Sequence, residues 1–330
     1  MAGVVRAPVA VRRDSVMRII GVEPNGEGEK MDRAKDVFSG STFCDPRSVA
    51  HRVLVALTSA ALVLSAGCGE NNPSSRTEPV DLRAAESKTF SQFGEDGVIE
   101  KIFEIIPPTE KYIVAFGAHD GVTNSNARNL IVNHGWGGLL IEGDPKRAAQ
   151  LAQVYADNDA VTTMEEWVFP GNIELLFEDA GVPENFDLLV IDIDSNDYYI
   201  WRAIHDYRPK VVLIEANPHF PPPQLMVIDF HPMNYWDTNT YEYVGASISS
   251  LDRLAKKKGY ELLYCMKPMS PNCFFVDAQY APLFGIEDNS PEAIWPPRMG
   301  VNPNAGKIPP AHKYLHWRNL KIEKKFIFDR

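Results

Sequence analysis

Residues Tyr112–Asn126 read YIVAFGAHDGVTNSN, and the reading of that stretch decides the fold. The apolar run Tyr112–Phe116 enters Gly117-Ala118-His119-Asp120-Gly121, after which polar residues open a helix. A short apolar run bounded by glycines suits a buried parallel strand. Glycine lets the chain turn sharply and leaves room for a ligand to lie against the backbone. The second landmark, Gly138–Asp144, reads GLLIEGD and is a strand ending in the acid Glu142. Gly117 and Glu142 lie about 25 residues apart, one strand–helix–strand unit of a nucleoside-binding half of a doubly wound sheet. A carboxylate at that place can accept both hydroxyls of a ribose.

Outward from this pair, apolar runs alternate with helical spacing. The sequence predicts a helix within 91–106, ended by Pro107-Pro108, then strand 112–117, helix 123–133, strand 138–142 and helix 145–156. A strand near 160–163, a helix near 172–180, the very apolar strand 186–193, a helix near 198–206 and strand 210–216 follow. Ser247–Lys258 is a further helix, and strands 260–265 and 273–277 close the series. The class is α/β with a mostly parallel sheet.

With 330 residues, 45% of them hydrophobic, the chain can bury one large core. A formal charge of −11 argues against a general nucleic-acid binder. Residues 1–50 show no sustained periodicity and are expected to be a disordered leader. Val53–Ala66 is a 14-residue uncharged stretch, shorter than the ~20 residues of a membrane span. It matches a signal-peptide hydrophobic segment (51–67), and Leu64-Ser-Ala-Gly-Cys68 resembles a bacterial lipobox with Cys68 as the lipid-bearing residue. A buried helix is the alternative. On the first reading 68–89 is a flexible tether and the protein is a lipoprotein facing the periplasm or cell exterior; on the second it is cytoplasmic. The folded domain is expected over 90–280, and a Pro- and aromatic-rich extension, 281–330, packs on it. Cys44, Cys68, Cys265 and Cys273 lack CxxC spacing, and Cys265 and Cys273 are expected to fill the core rather than pair.

Four polar clusters end predicted parallel strands: Gly117–Gly121, Glu142/Asp144, Asp192/Asp194 and Glu215/Asn217. Those ends share one sheet edge, so the clusters converge on a crevice. Asp192 and Asp194 point to one side of an extended segment and, with Glu215 and Asn217, could grip Mg2+ or another divalent cation. Alternatively Asp194, Ser195 and Asn196 only cap the following helix. His119 either lines the crevice or acts as a base. His219 and His231 are further candidate bases in the long aromatic loop 217–245, which either shapes a substrate site or covers the sheet.

These motifs resemble a class I S-adenosylmethionine-dependent methyltransferase of the FkbM-like kind: FGAHDG (116–121), LLIEGDP (139–145), FDLLVIDIDSNDYYIW (186–201), PKVVLIEANP (209–218), GASISSLDRLAKKKGYELLYC (245–265) and NCFFV (272–276). The resemblance spans roughly residues 90–278. It implies a doubly wound, mostly parallel seven-stranded sheet, a Rossmann-like methyltransferase fold, whose antiparallel last strand is 272–277. It implies S-adenosylmethionine as cofactor and O-methylation of a sugar or other small molecule. Gly117, Ala118 and Gly121 would then cradle the methionine part, Glu142 would hold the ribose and Asp192 would face the sulfonium. Asp194, with His119 as second choice, would take the acceptor's proton. The superfamily usually has an acid two residues before the first glycine; here that residue is Ala115. The competing reading is a non-catalytic, envelope-anchored binding protein on this scaffold. A nicotinamide-dependent oxidoreductase should show GxGxxG, and His119 breaks it. A metal-dependent glycosyltransferase could use Asp192-Ile193-Asp194, as could a haloacid-dehalogenase phosphatase, but neither explains 112–126.

Overall fold

The structure, a computed structural model, describes residues 78–230, 244–266, 272–295 and 317–320, all within the unit Cys68–Arg330. The expectations for the leader, the hydrophobic segment, Cys68 and His231 lie outside these residues. The order begins α1 (Glu95–Ile105), β1 (Tyr112–Phe116), α2 (Arg128–His134), β2 (Gly137–Glu142), α3 (Pro145–Val154), β3 (Val161–Glu165) and α4 (Ile173–Ala180). It continues β4 (Leu188–Ile191), α5 (Asp197–Ala203), β5 (Val211–Glu215), β6 (Met226–Ile228), α6 (Ile248–Lys258), β7 (Tyr260–Cys265) and β8 (Asn272–Asp277). A 3-10 turn (Ala281–Phe284), α7 (Pro291–Ile294) and β9 (Trp317–Asn319) complete it.

Seven strands form one sheet in the order β3-β2-β1-β4-β5-β8-β7. β3, β2, β1, β4 and β5 are parallel, and β8 runs antiparallel between β5 and β7. The expected α/β sheet with 272–277 as its antiparallel strand is therefore what the chain forms. Alternating side chains build two cores, as the two-residue period of a strand requires. Val114, Phe116, Leu139, Ile141, Leu189, Ile191, Val212 and Ile214 pack on one face with residues of α4, α5 and α6. Ile113, Ala115, Leu140, Leu188, Val190, Val211 and Leu213 pack on the other with α1 and α2. Ala115 thus belongs to the second core.

Local chemistry sets the helix limits. Asp144 accepts the N–H groups of Lys146 and Arg147 to start α3, with Pro145 in its first turn. Ser247 does the same for α6 through Ser250, and Gly259 ends that helix at φ 78°. Of the elements that start or stop elsewhere than expected, two have a local cause in a side-chain hydrogen bond. α2 begins at Arg128 because Asp120 accepts the N–H groups of Val122 and Thr123 and holds the preceding residues in a turn. β4 stops at Ile191 because Asp197 turns the chain, as described below.

At the amino ends of the strands, fully buried Asp187 accepts the N–H groups of Thr109 at 2.8 Å and Glu110 at 2.9 Å and pairs with Lys210 at 3.0 Å. β6 lies within the long 217–245 loop and pairs antiparallel with β9. Free Cys265 and Cys273 are not what the structure contains: they face each other across β7 and β8 and form a disulfide. The antiparallel register puts their Cα atoms 4.1 Å apart, and an eight-residue spacing alone does not reveal that register. Among the described residues no helix is long and apolar enough to cross a membrane.

Candidate active site

Registers Phe116↔Ile141 and Phe116↔Ile191 bring the carboxyl ends of β2, β1 and β4 side by side. The loop after β1 and the acid ending β2 are in direct contact. The His119 N–H donates to Glu142 Oε2 at 2.8 Å, and the Ala118 N–H donates to the Ile141 carbonyl at 3.1 Å. Glu142 Oε1 accepts the Asp144 N–H at 2.9 Å. Its carboxylate therefore ties two turns together while each oxygen keeps a second lone pair for another donor. Glu142 itself is buried.

The two motif glycines have packing reasons of their own. Gly117 has φ 74°, and a Cβ there would sit 1.6 Å from the Asp192 carbonyl oxygen. A Cβ on Gly121, at φ 75°, would press within 3 Å of Leu151 and Tyr155. Close approach of loop to strand and helix requires glycine at both places. His119 stands at φ 53°, half-exposed, with Nδ1 3.3 Å from Asp120 Oδ1.

One strand over, Asp192, Asp194 and Glu215 each offer a carboxylate oxygen within 4.8 Å of the others. Asp194 takes a left-handed backbone at φ 53°, unusual for a non-glycine residue. Asp197 holds it there: its Oδ1 accepts the Ile193 N–H at 3.0 Å and its Oδ2 the Ser195 N–H at 2.9 Å. Asn196 makes no capping bond of its own to α5. The cluster thus rests on an acid that the sequence reading treated only as a helix start. Asn217 lies apart in role. Its Nδ2 donates to the Val244 carbonyl and its Oδ1 accepts the His219 N–H, so it braces the loop backbone. His219 is buried in that loop.

Burial and mutual repulsion set the electrostatics. Burial pushes the Asp192 carboxyl well up, and Asp194, Asp197 and Glu95 push it further. Burial also raises Glu215, reinforced by Asp194, Asp192 and Asp197. Asp194 is raised by burial, against the pull of its hydrogen bond with Glu215 and of Arg147. Asp197 is pushed up to about 6, chiefly by burial. Several carboxylates at one edge cannot all ionise cheaply, so the cluster must share protons or take up positive charge.

Sequence reading missed two further residues. Glu95, fully buried in the first turn of α1, accepts Asn272 Nδ2 at 2.9 Å and the Phe93 N–H at 2.8 Å. Asn272 is the register partner of Glu215. Trp167, just past β3, lies over Gly143, the residue after Glu142. The only sequence sign of Trp167 is a large aromatic immediately after a strand. A groove of about 440 Å³ flanks the crevice between Asp120, Val122 and α3, and none of the clustered acids lines it.

No protein-family model matches the chain. No curated protein matches it either. Solved structures give distant likenesses. A CurJ carbon methyltransferase is 10% identical with a TM-score of 0.36, covering 55% of this chain and 52% of that one. The N-terminal domain of EvdMO1 in the presence of SAH and D-fucose is 12% identical with a TM-score of 0.37, covering 55% and 80%. The mitomycin 7-O-methyltransferase MmcR is 16% identical with a TM-score of 0.32, covering 55% of each chain. The match thus spans about half the length of the first and third of these. At such TM-scores the likeness carries no argument about activity, and the fold assignment rests on the strand order.

Proposed function

We propose that the chain is an S-adenosylmethionine-dependent methyltransferase, FkbM-like, that methylates a hydroxyl of a sugar or other small molecule. The observation that carries this reading is the Glu142 carboxylate, which accepts the His119 N–H at 2.8 Å and so joins a glycine turn to a strand-end acid. The free lone pairs of that carboxylate suit vicinal ribose hydroxyls, and the loop Gly117–Gly121 offers the adjoining wall. Bound S-adenosylmethionine supplies a methyl already activated on a sulfonium, so the protein's task is alignment in a site shielded from water. Asp192 and Asp194 stand next to that wall. Asp194, hydrogen-bonded to Glu215, takes the proton of the acceptor hydroxyl. Asp192, Asp194 and Glu215 together suit a hard divalent cation, which would lower the acceptor's pKa.

Calorimetry with S-adenosylhomocysteine tests the reading. Micromolar binding is expected, with Asp194→Asn keeping that affinity and losing turnover. A folded chain that binds neither S-adenosylhomocysteine nor S-adenosylmethionine refutes it.

The Cys265–Cys273 disulfide favours a second reading. Structural disulfides persist in oxidising compartments, and S-adenosylmethionine is made in the cytosol. On that reading the protein is an envelope-anchored binding protein, lipidated at Cys68, that uses this scaffold without catalysis. Mass spectrometry of the native amino terminus separates the two locations.

A further inference from the structure

β7 and β8 do not keep one register along their length. Tyr260, Glu261 and Leu262 face Asp277, Val276 and Phe275, but Tyr264 and Cys265 face Phe274 and Cys273. The register shifts by one residue between Leu262 and Tyr264, as at a bulge. A strand end beyond such a shift is one residue from an alternative pairing, and the slip would turn its side chains to the other face. The Cys265–Cys273 disulfide joins the last pair beyond the shift. With a sequence separation of 8, between strands the ladder already pairs, it constrains the unfolded chain less than a long-range bridge would. What it does fix is the shifted register. Two routes lead from that pinned segment to Glu95. The Tyr264 hydroxyl donates to Glu86, while its ring stacks on Phe274 with centroids 6.5 Å apart. Glu86 precedes Ser87, whose N–H donates at 3.1 Å to the carbonyl of Gly94, the residue before Glu95. On the second route the Met266 N–H donates to the Asn272 carbonyl at 2.9 Å, and Asn272 Nδ2 donates to Glu95 Oε1 at 2.9 Å. Fully buried Glu95 is among the acids that repel the Asp192 carboxylate, so a change in its place is felt at the acid cluster.

We infer that the Cys265–Cys273 disulfide is a redox-sensitive clamp that holds the shifted register and, through Tyr264 and Asn272, the place of Glu95 beside the acid cluster. A dithiol opens it. One thiolate of the dithiol attacks a cysteine sulfur, the S–S bond breaks, and the second thiol displaces the mixed disulfide. Cys265 and Cys273 leave as protonated thiols, and the dithiol is oxidised to its own disulfide. The end of β7 is then free to slip by one residue, which turns Tyr264 away from Glu86. Both cysteines are buried, so reduction waits on local opening of this end of the strand pair. The clamp goes beyond the methyltransferase reading and does not depend on it.

The test compares the whole chain oxidised and after dithiothreitol, by thiol titration, circular dichroism and amide hydrogen exchange, with Mn2+ calorimetry reporting from the acid cluster. Reduction should free Cys265 and Cys273 without loss of helix or sheet. Exchange should quicken about 10-fold at 264–266 and 86–95, the worth of about one hydrogen bond, and stay slow at 260–262. Mn2+ affinity should fall about 2- to 10-fold on the same scale and return on reoxidation. Cys265→Ala/Cys273→Ala should behave as the reduced chain and ignore dithiothreitol. Tyr264→Phe keeps the disulfide and the ring but loses the tie to Glu86, and should quicken exchange at 86–95 alone. Equal exchange in both redox states, or unfolding of the whole domain on reduction, overturns the clamp and leaves the disulfide a staple. Faster exchange with unchanged Mn2+ affinity overturns its link to the cluster. An oxidised chain that takes up no Mn2+ refutes the cation reading alone, and the exchange pattern still decides the clamp.

Discussion

Replacing Glu142 with glutamine puts an amide NH2 where both carboxylate oxygens now accept backbone donors, from His119 at 2.8 Å and Asp144 at 2.9 Å. Whichever way the amide turns, one N–H donor faces another. The residue is only 7% exposed, so water offers little replacement. Losing one hydrogen bond to a charged acceptor costs about 1.5–3 kcal/mol. In a domain of this size that lowers the melting temperature by about 3–12 °C, at roughly 2–4 °C per kcal/mol. The same change removes ribose acceptors and should cut affinity for S-adenosylhomocysteine about 10- to 100-fold. Circular-dichroism melts and calorimetry read the two effects separately. A melting temperature within about 1 °C of wild type would refute the claim that Glu142 ties the two turns. A lowered melting point with undiminished affinity would refute its role toward the ribose.

Asp187→Ala should destabilise by about 1–3 kcal/mol, because it removes a fully buried acceptor of the Thr109 and Glu110 N–H groups and the ion pair with Lys210, whose ammonium keeps the Pro107 carbonyl and Thr109 Oγ1. Urea melts measure this, and ligand affinity of the folded chain should not change, since Asp187 lies at the amino ends of the strands. The acid cluster gives a pH dependence. An acid whose folded pKa is raised favours the folded chain fully below its unfolded pKa and loses that contribution as pH rises through the folded value. For Asp197 the window runs from about 4 to about 6 and is worth about 3 kcal/mol. Glu215, raised by burial and its acidic neighbours, has the same sign. Glu215→Gln should therefore lose less stability than wild type as pH rises, because it removes one of the groups that must ionise. Millimolar Mg2+ or Mn2+ should raise the wild-type melting temperature at pH 7.5 but not that of the variant. Thermal scans across this range, with and without metal, check both statements; a pH-independent difference would contradict them.

The sheet was legible because its signals are local. Tyr112–Phe116, Gly138–Glu142 and Val211–Glu215 are apolar runs ending in glycine or acid, and period and turn chemistry suffice to place them. Convergence of the Gly117 turn, Glu142, Asp192, Asp194 and Glu215 on one edge also followed, since parallel strands share their carboxyl ends. Where α2 begins was not legible, because the Asp120 turn that delays it depends on a side-chain hydrogen bond rather than on hydrophobic spacing.

The amino-acid sequence by itself determined the class and the edge on which the acids meet, because those follow from periodicity and chain direction; that 272–277 runs antiparallel was implied by the family resemblance alone. Only the tertiary structure decided which groups act together. It joined Cys265 to Cys273, set Asn217 to bracing the loop, made Asp197 the support of Asp194, and stood Trp167 beside Glu142. Each of these depends on register or on a loop's three-dimensional course, which bring together residues whose separation along the chain carries no signal of their contact.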